Sequence, residues 1–218
     1  MRLYIHGTEK RHAYHDEDDG LTGAIRAATT VRVPVSSVAG LHTALARLIT
    51  EGKTIRRVLW MTHGTPGSIY FAHGEELNSK RLNDEFAGKG YEKLFPKSAK
   101  MYFSGCSVAG DESCNGSCNP ATYGNGWKFL ESAGNVFLGA GGYTMGWTSL
   151  GHGWNSSVIR KIISSHSLHF SGDVRIVTFG SGGTKLERLS YDGGLMSGDM
   201  LKMVQIFAKL NRLVPNDA

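Results

Sequence analysis

The sequence predicts an α/β fold with a mostly parallel central sheet that helices cover on both faces. Strand-like apolar runs alternate with segments of helical periodicity over the first two-thirds of the chain, which is typical of parallel sheets with crossover helices. The run Val58–Met61 is apolar without alternation, as expected for a strand buried on both faces. A content of 29 glycines favours tight turns and sites built from loops.

The strands are predicted from apolar or β-branched runs that end at turn residues. Thr29–Ser37 is β-branched, and Pro34 within it indicates an edge or the end of a strand. A hairpin is predicted at Asp173–Tyr191, with its turn at Ser181–Gly183. The other predicted strands are Arg2–His6, Ile55–His63, a short β excursion at Gly67–Gly74, Ala99–Cys106 and Val136–Thr144.

The helices are predicted from apolar positions at helical spacing between capping and breaking residues. Ser37 caps the first helix, and Gly52 ends it. The apolar positions of this helix are Leu41, Leu45, Leu48 and Ile49. The other predicted helices are Asn78–Gly90, Asn119–Asn135, Asn155–Leu168 and a C-terminal amphipathic helix at Ser197–Val214. The polar stretch Gly7–Gly23 is predicted to be a loop.

Size and charge set the broad class of the protein. The 218 residues suit a single domain, with a core at 1–145 and a C-terminal elaboration at 146–218. The net charge is +5, yet the densest basic stretch, Lys53–Arg57, leads directly into an apolar strand. We therefore expect no nucleic-acid partner. No run approaches the roughly 20 apolar residues of a membrane span, and no signal peptide is recognisable. The chain is compatible with a cytoplasmic location, a longer precursor or export without a cleaved signal.

Two of the predicted strands end on residues that carry proton or nucleophile chemistry. His63 follows Val58–Met61 and precedes Gly64, while Cys106 follows the apolar run that begins at Ala99. Ligands of open α/β sheets bind beyond the carboxyl ends of the strands. If the two strands are neighbours, both side chains emerge at the same rim. A strand-end histidine or cysteine alone is usually structural, but the pair predicts an active site.

The chemistry of such a pair is nucleophilic acyl transfer. An imidazole activates the thiol and later protonates the leaving group. The oxyanion needs donors that no side chain blocks, and the amides of Gly64 and Cys106 suit this role.

The motifs "THG" at His63 and "SGCSVAG" at Cys106 resemble those of the caspase-like (clan CD) cysteine peptidases: caspases, legumains, gingipains, clostripain and separase. The resemblance is nearest to bacterial relatives of the CHAT type and covers roughly 2–144. It implies a three-layer α/β/α sandwich and a peptidase that acts on a protein or peptide substrate without a metal or cofactor. A bacterial defence protease or a toxin delivered into another cell would fit this group.

The resemblance also implies roles for individual residues. His63 is the base, Cys106 the nucleophile and Gly64 the oxyanion glycine. The substrate pocket draws on Ser104, on the loop from Gly7 onward and on the segment after the following strand, namely Gly142, Tyr143 and Thr144. The caspase motif "QACxG" is absent. Because Ser104 is neutral, it predicts no preference for a charged substrate residue in the first subsite. The acidic run Asp16–Gly20 has two interpretations: it favours a basic substrate residue, or it is only a solvated loop.

Three alternatives remain open at the level of sequence. An α/β-hydrolase would use Ser107 in "GCSVA" as its nucleophile, although a glycine- and asparagine-rich loop rather than a helix follows. A zinc site would combine Cys106, Cys114 and Cys118 with His63 or His152, but the ligand spacing is incomplete. The odd number of cysteines argues against a disulfide framework, although a bond between Cys114 and Cys118 is conceivable outside the cytosol. A catalytically inactive binding module of the same fold is the third alternative.

Overall fold

The structure is a computed structural model, and it describes residues 1–8, 30–103, 105, 107–111, 124–148 and 174–191. Several predicted features lie outside these residues. They are the acidic run Asp16–Gly20, the helices Asn155–Leu168 and Ser197–Val214, and most of the loop Gly7–Gly23. Ser104, Cys106, Cys114, Cys118 and His152 also lie outside the described residues.

The described strands and helices alternate much as the sequence predicts. In chain order the strands are β1 (Arg2–Gly7), β2 (Thr30–Val35), β3 (Arg57–Met61), β4 (His63–Thr65), β5 (Ser68–Tyr70), β6 (Glu76–Asn78), β7 (Ala99–Phe103), β8 (Gly142–Trp147), β9 (Val174–Phe179) and β10 (Lys185–Tyr191). The helices are α1 (Val38–Thr50), α2 (Ser79–Arg81), which continues as a π-helical turn at Leu82–Phe86, and α3 (Gly126–Phe137).

A central sheet runs in the order β10-β9-β8-β7-β3-β1-β2 within the described part of the chain. The neighbours from β2 to β8 pair in parallel, whereas β9 and β10 are antiparallel. This arrangement confirms an α/β fold with a mostly parallel sheet and is compatible with a three-layer sandwich. It also confirms the hairpin around 181–183, and β2 with Pro34 forms one edge.

The sheet is buried on both faces, which explains why its strands read as continuous apolar runs. On one face, Trp60 of β3 stacks against Phe103 of β7 and packs against Phe137 of α3. Helices α1 and α3 and the π-helical turn at Leu82–Phe86 contribute to the hydrophobic cluster on this face. Alternate residues such as Tyr4, Leu59 and Tyr102 point to the other face and are also buried.

Helix α1 forms as its sequence predicts. The Ser37 hydroxyl accepts a hydrogen bond from the Gly40 amide at 3.0 Å, which satisfies one of the unpaired donors of the first turn. The predicted apolar positions Leu41, Leu45 and Leu48 are buried, and Gly52 follows the helix with a φ of +62°. The second predicted helix also begins as expected, because the Asn78 side chain accepts from the Arg81 amide. It ends at Phe86, before the predicted stop at Gly90.

The boundary between α3 and β8 corrects the sequence prediction. Val136 and Phe137 continue the apolar stripe of the helix, and the strand begins only at Gly142. Helix α3 starts at Gly126, where the Asn125 side chain caps it by accepting from the Lys128 amide. The apolar run Val136–Leu138 fits the end of a buried helix as well as a strand, so periodicity alone does not separate the two.

Candidate active site

The carboxyl ends of β3 and β7 lie side by side at one rim of the central sheet. Trp60 of β3 pairs with Phe103 of β7, and Phe103 in turn pairs with Gly146 of β8. The residues that follow these positions therefore leave the sheet at the same rim. This confirms that the strands preceding His63 and Cys106 are neighbours.

His63 opens a small antiparallel sheet, β4-β5-β6, that follows β3 after a bend at Thr62. The face of this small sheet that includes Ile69 and Leu77 belongs to the hydrophobic cluster, and both side chains are fully buried. Directly opposite residues of antiparallel strands share a face. Since His63 pairs with Tyr70, both side chains lie on the polar face. His63 is half-buried there.

The backbone after β7 packs directly against the His63–Gly64 segment. A Cβ atom added to Gly105 would lie 2.9 Å from the Gly64 Cα and 3.2 Å from the His63 carbonyl carbon. A real Cβ atom essentially never lies within 3.0 Å of another heavy atom, and 3.2 Å is tighter than most real contacts. The two segments therefore approach this closely because residue 105 is glycine. Gly105 is covalently bonded to Cys106. The positions of Ser104 and Cys106 lie outside the described residues, and the distance between the thiol and the imidazole stays a prediction.

The residues after Cys106 form a tight turn whose backbone is held on several sides. Ser107 has a φ of +53°, and its carbonyl accepts from the Gly110 amide at 2.7 Å. The Val108 carbonyl accepts from Gly67 in the β4–β5 turn at 3.1 Å, and the Ala109 amide donates to the Trp147 carbonyl at 2.8 Å. A left-handed conformation in a non-glycine residue is costly, and such residues are concentrated at functional sites.

Two further elements fix the same turn, and the sequence interpretation did not identify them. The N-terminal residue of α3, Gly126, donates its amide to the Gly110 carbonyl at 2.9 Å. One guanidinium nitrogen of Arg175 donates to the Ala109 carbonyl at 2.9 Å and to the Asp111 carboxylate at 2.8 Å. The signal in the sequence is an arginine inside the otherwise apolar strand "VRIVTF". The positive end of the α3 dipole also points toward this turn, and that field favours negative charge nearby.

The polar face beside His63 contains a carboxylate that two buried side chains hold in place. Ser68 and Asn78 both donate to Oε1 of Glu76. The Tyr70 hydroxyl accepts from Oγ1 of Thr65 at 3.2 Å. Sequence reasoning missed this group because the register of short antiparallel strands, and not any motif, brings these side chains together.

The expected substrate-binding residues Gly142, Tyr143 and Thr144 do not lie at the rim of His63. They form the amino-terminal half of β8, where Ala99, the first residue of β7, pairs with Gly142. Thr144 is fully buried and donates to the Leu130 carbonyl, and Tyr143 is buried on the sheet. The strand boundary on which the assignment depended is wrong. The strand ends at Trp147, and the segment after it begins at Thr148, next to the Ser107–Gly110 turn.

His6 at the end of β1 has a structural environment. Its ring stacks on Tyr4 and donates through Nδ1 to the Gly7 carbonyl at 2.9 Å. Burial lowers the pKa of this imidazole, because the charged form is poorly solvated there. We expect His6 to stay neutral near pH 7 and to support the rim without taking part in the chemistry.

No protein-family model matches this chain, and no curated protein is significantly similar to it. Among the described residues, no group of three or more His, Cys, Asp and Glu side chains could hold a metal ion. None of the helices in the described ranges is long and apolar enough to cross a membrane. Any statement about function therefore depends on the geometry of this rim and on the chemistry of its residues.

Proposed function

We propose that the protein is a cysteine endopeptidase of caspase-like type in which Cys106 is the nucleophile and His63 is the general base and acid. The observation that carries the proposal is the contact between Gly105 and Gly64 at the carboxyl rim of the sheet. This contact joins the residue before the cysteine to the residue after the histidine. The close approach of these two backbone segments supports the proposal, because a nucleophile and its base must be attached to neighbouring segments to come within hydrogen-bond reach.

The proposed reaction proceeds through a thioester. His63 takes the proton of the Cys106 thiol, and the thiolate adds to the carbonyl carbon of the scissile bond. The resulting oxyanion accepts hydrogen bonds from the amides of Gly64 and Cys106. When the tetrahedral intermediate collapses, the C–N bond breaks and His63 gives its proton to the departing amine. Water, deprotonated by His63, then attacks the thioester. This releases the new carboxylic acid and restores the thiol.

The surroundings of the turn support this role for Cys106. A thiolate is stabilised near a helix N-terminus, and Gly126 at the start of α3 donates to Gly110 within the same turn. The turn is held by hydrogen bonds to β8, to β9 and to the β4–β5 hairpin. Such support fixes a nucleophile before substrate arrives, which is a main source of enzymatic rate enhancement.

A serine hydrolase that uses Ser107 is the second candidate, and one observation favours it. Ser107 has a positive φ of 53°, as a nucleophile on a strained strand-to-helix turn would have. The chain around it departs from that motif, because Ser107 leads into a turn closed by Gly110 and the next described helix begins only at Gly126. For this reason we favour Cys106. In our proposal the strain at Ser107 belongs to the turn that presents the cysteine.

A peptide-library digest tests both candidates with three variants. Cys106→Ala is expected to abolish cleavage, whereas Ser107→Gly is expected to retain it, because glycine adopts positive φ freely and lacks the hydroxyl. Ser107→Ala serves as a matched control that keeps the strain and removes the hydroxyl. Loss of cleavage in both Ser107 variants with retention in Cys106→Ala would establish the serine hydrolase instead. If the wild-type protein cleaves nothing, the proposal of an active peptidase fails.

A further inference from the structure

The polar face of the small sheet contains a row of three side chains at one level. His63 of β4 pairs with Tyr70 of β5, and Tyr70 pairs with Glu76 of β6. Because directly opposite residues in antiparallel strands point to the same side, the imidazole, the phenol and the carboxylate share the polar face. Adjacent strands are about 4.8 Å apart, so the Glu76 backbone lies about 10 Å from that of His63.

The Glu76 carboxylate is held in place by hydrogen bonds to only one of its two oxygens. Oε1 accepts from the Ser68 hydroxyl and, at 3.3 Å, from Nδ2 of Asn78. Both donors are buried, at 2% and 8% exposure. In the described part of the structure, Oε2 accepts no hydrogen bond, and Glu76 itself is half-buried. The protein thus orients the Glu76 carboxylate through Oε1, and Oε2 has no hydrogen-bond donor among the described residues.

The neighbouring guanidinium of Arg81 is paired with other carboxylates. The guanidinium of Arg81 donates to the carboxylates of Glu75 and Glu85, and its contact with Glu76 is to the backbone carbonyl at 2.7 Å. Within the described residues, the Glu76 carboxylate has no ion-pair partner of its own. A preorganised carboxylate beside an aromatic ring attracts a cation through a charge-assisted hydrogen bond and a cation–π contact.

We infer that Glu76 and Tyr70 form a subsite that binds a lysine or arginine side chain of the substrate. This inference depends on the proposed peptidase function. The separation of about 10 Å from His63 corresponds to about three residues of an extended peptide, at about 3.4 Å per residue. The selected basic residue therefore lies within about three positions of the scissile bond, and cleavage-site mapping identifies on which side.

The test compares wild type with Glu76→Gln on a peptide library and on one matched peptide pair. The library identifies a cleaved sequence. Its basic residue is then replaced by norleucine, which keeps the aliphatic chain and removes the charge. The glutamine amide oxygen can still accept from Ser68 and Asn78, so the fold is preserved. We expect kcat/KM for the lysine peptide to fall about tenfold in Glu76→Gln, and that for the norleucine peptide to stay unchanged.

Glu75→Gln is the matched control because it removes the same charge one residue away. The Glu75 carboxylate accepts from the Val38 amide at the start of α1 and from Arg81, so it is committed to the fold. We expect Glu75→Gln to lower the unfolding temperature and to leave the preference for the basic residue intact. Glu76→Lys is expected to shift the library preference toward acidic residues, provided that its melting temperature shows a folded protein.

The outcomes separate the two levels of the proposal. If Glu76→Gln lowers kcat/KM equally for both peptides, the residue supports catalysis or folding and the subsite is overturned. The subsite is also overturned if wild type shows no basic preference while cleavage still depends on Cys106, and the peptidase proposal then stands. If wild type shows no Cys106-dependent cleavage, the peptidase proposal fails first and the subsite fails with it.

Discussion

Replacing Gly105 with alanine is expected to impair both stability and activity. The added Cβ would lie 2.9 Å from the Gly64 Cα and 3.0 Å from the Gly64 nitrogen, whereas carbon atoms pack best at about 3.5–4.0 Å. One of the two backbones must therefore retreat by about 0.6 Å or more. Overpacking of this kind costs about 1–3 kcal/mol. A misplacement of about 1 Å costs on the order of 100-fold in rate, so we expect kcat to fall at least about tenfold.

The assay measures the free energy of unfolding in urea and kcat for the same preparations. Gly52→Ala is the control, because Gly52 has a φ of +62° and open space around the added atom. Alanine in that left-handed conformation costs about 1–2 kcal/mol at a site remote from the rim. We expect this control to lose stability and to keep its activity per folded molecule. Wild-type kcat in Gly105→Ala, or an equal loss in both variants, would refute the reasoning.

Three further predictions concern the sheet, a titrating histidine and the turn. Tyr102→Phe is expected to cost about 1–3 kcal/mol because it removes the 2.9 Å partner of the buried Tyr143 hydroxyl. The Tyr102→Phe/Tyr143→Phe double variant should cost less than the sum of the single changes, and additive losses in urea unfolding would contradict this. Burial lowers the pKa of the His42 imidazole from its ordinary 6.5. The stability that the neutral, buried imidazole contributes is therefore complete above pH 6.5 and is lost as the pH falls below 6.5. His42→Phe should therefore flatten the decline in the free energy of unfolding between about pH 7 and pH 5, and an unchanged slope would argue against it. Arg175→Lys keeps the charge and loses the guanidinium geometry that holds the Ala109 carbonyl. We expect kcat to fall about tenfold with KM nearly unchanged. A rise in KM alone would show that the contact affects only substrate binding.

The parts of the fold that depend on local patterns could be predicted from the sequence. Continuous apolar runs indicated the buried strands, and Ser37 and Gly52 marked the two ends of α1 correctly. The alternation of strands and helices also placed the ends of β3 and β7 at one rim. These signals reside in a few consecutive residues, so they need no knowledge of distant contacts.

The remaining features depend on contacts between distant segments. The apolar run at Val136 and Phe137 fits a helix end as well as a strand, and the sequence prediction assigned it to a strand although it belongs to α3. This error moved the assigned substrate segment to the wrong end of β8. Arg175 reaches the turn from a strand 66 residues away from Ala109. Glu76 joins the face of His63 through the register of β4, β5 and β6. No spacing within a single motif records such relationships.

The most direct measurement is the alkylation rate of Cys106 as a function of pH in wild type and His63→Ala. Reduced protein is treated with iodoacetamide, and each cysteine is quantified by mass spectrometry, so that Cys114 and Cys118 serve as internal references. We predict that Cys106 reacts fastest of the three cysteines. It should reach half its maximal rate at a pH below about 8.5, which is the ordinary pKa of a free thiol. His63→Ala should remove this advantage. If Cys106 reacts like the other two cysteines, and at a rate that His63→Ala leaves unchanged, the two residues do not form a catalytic pair.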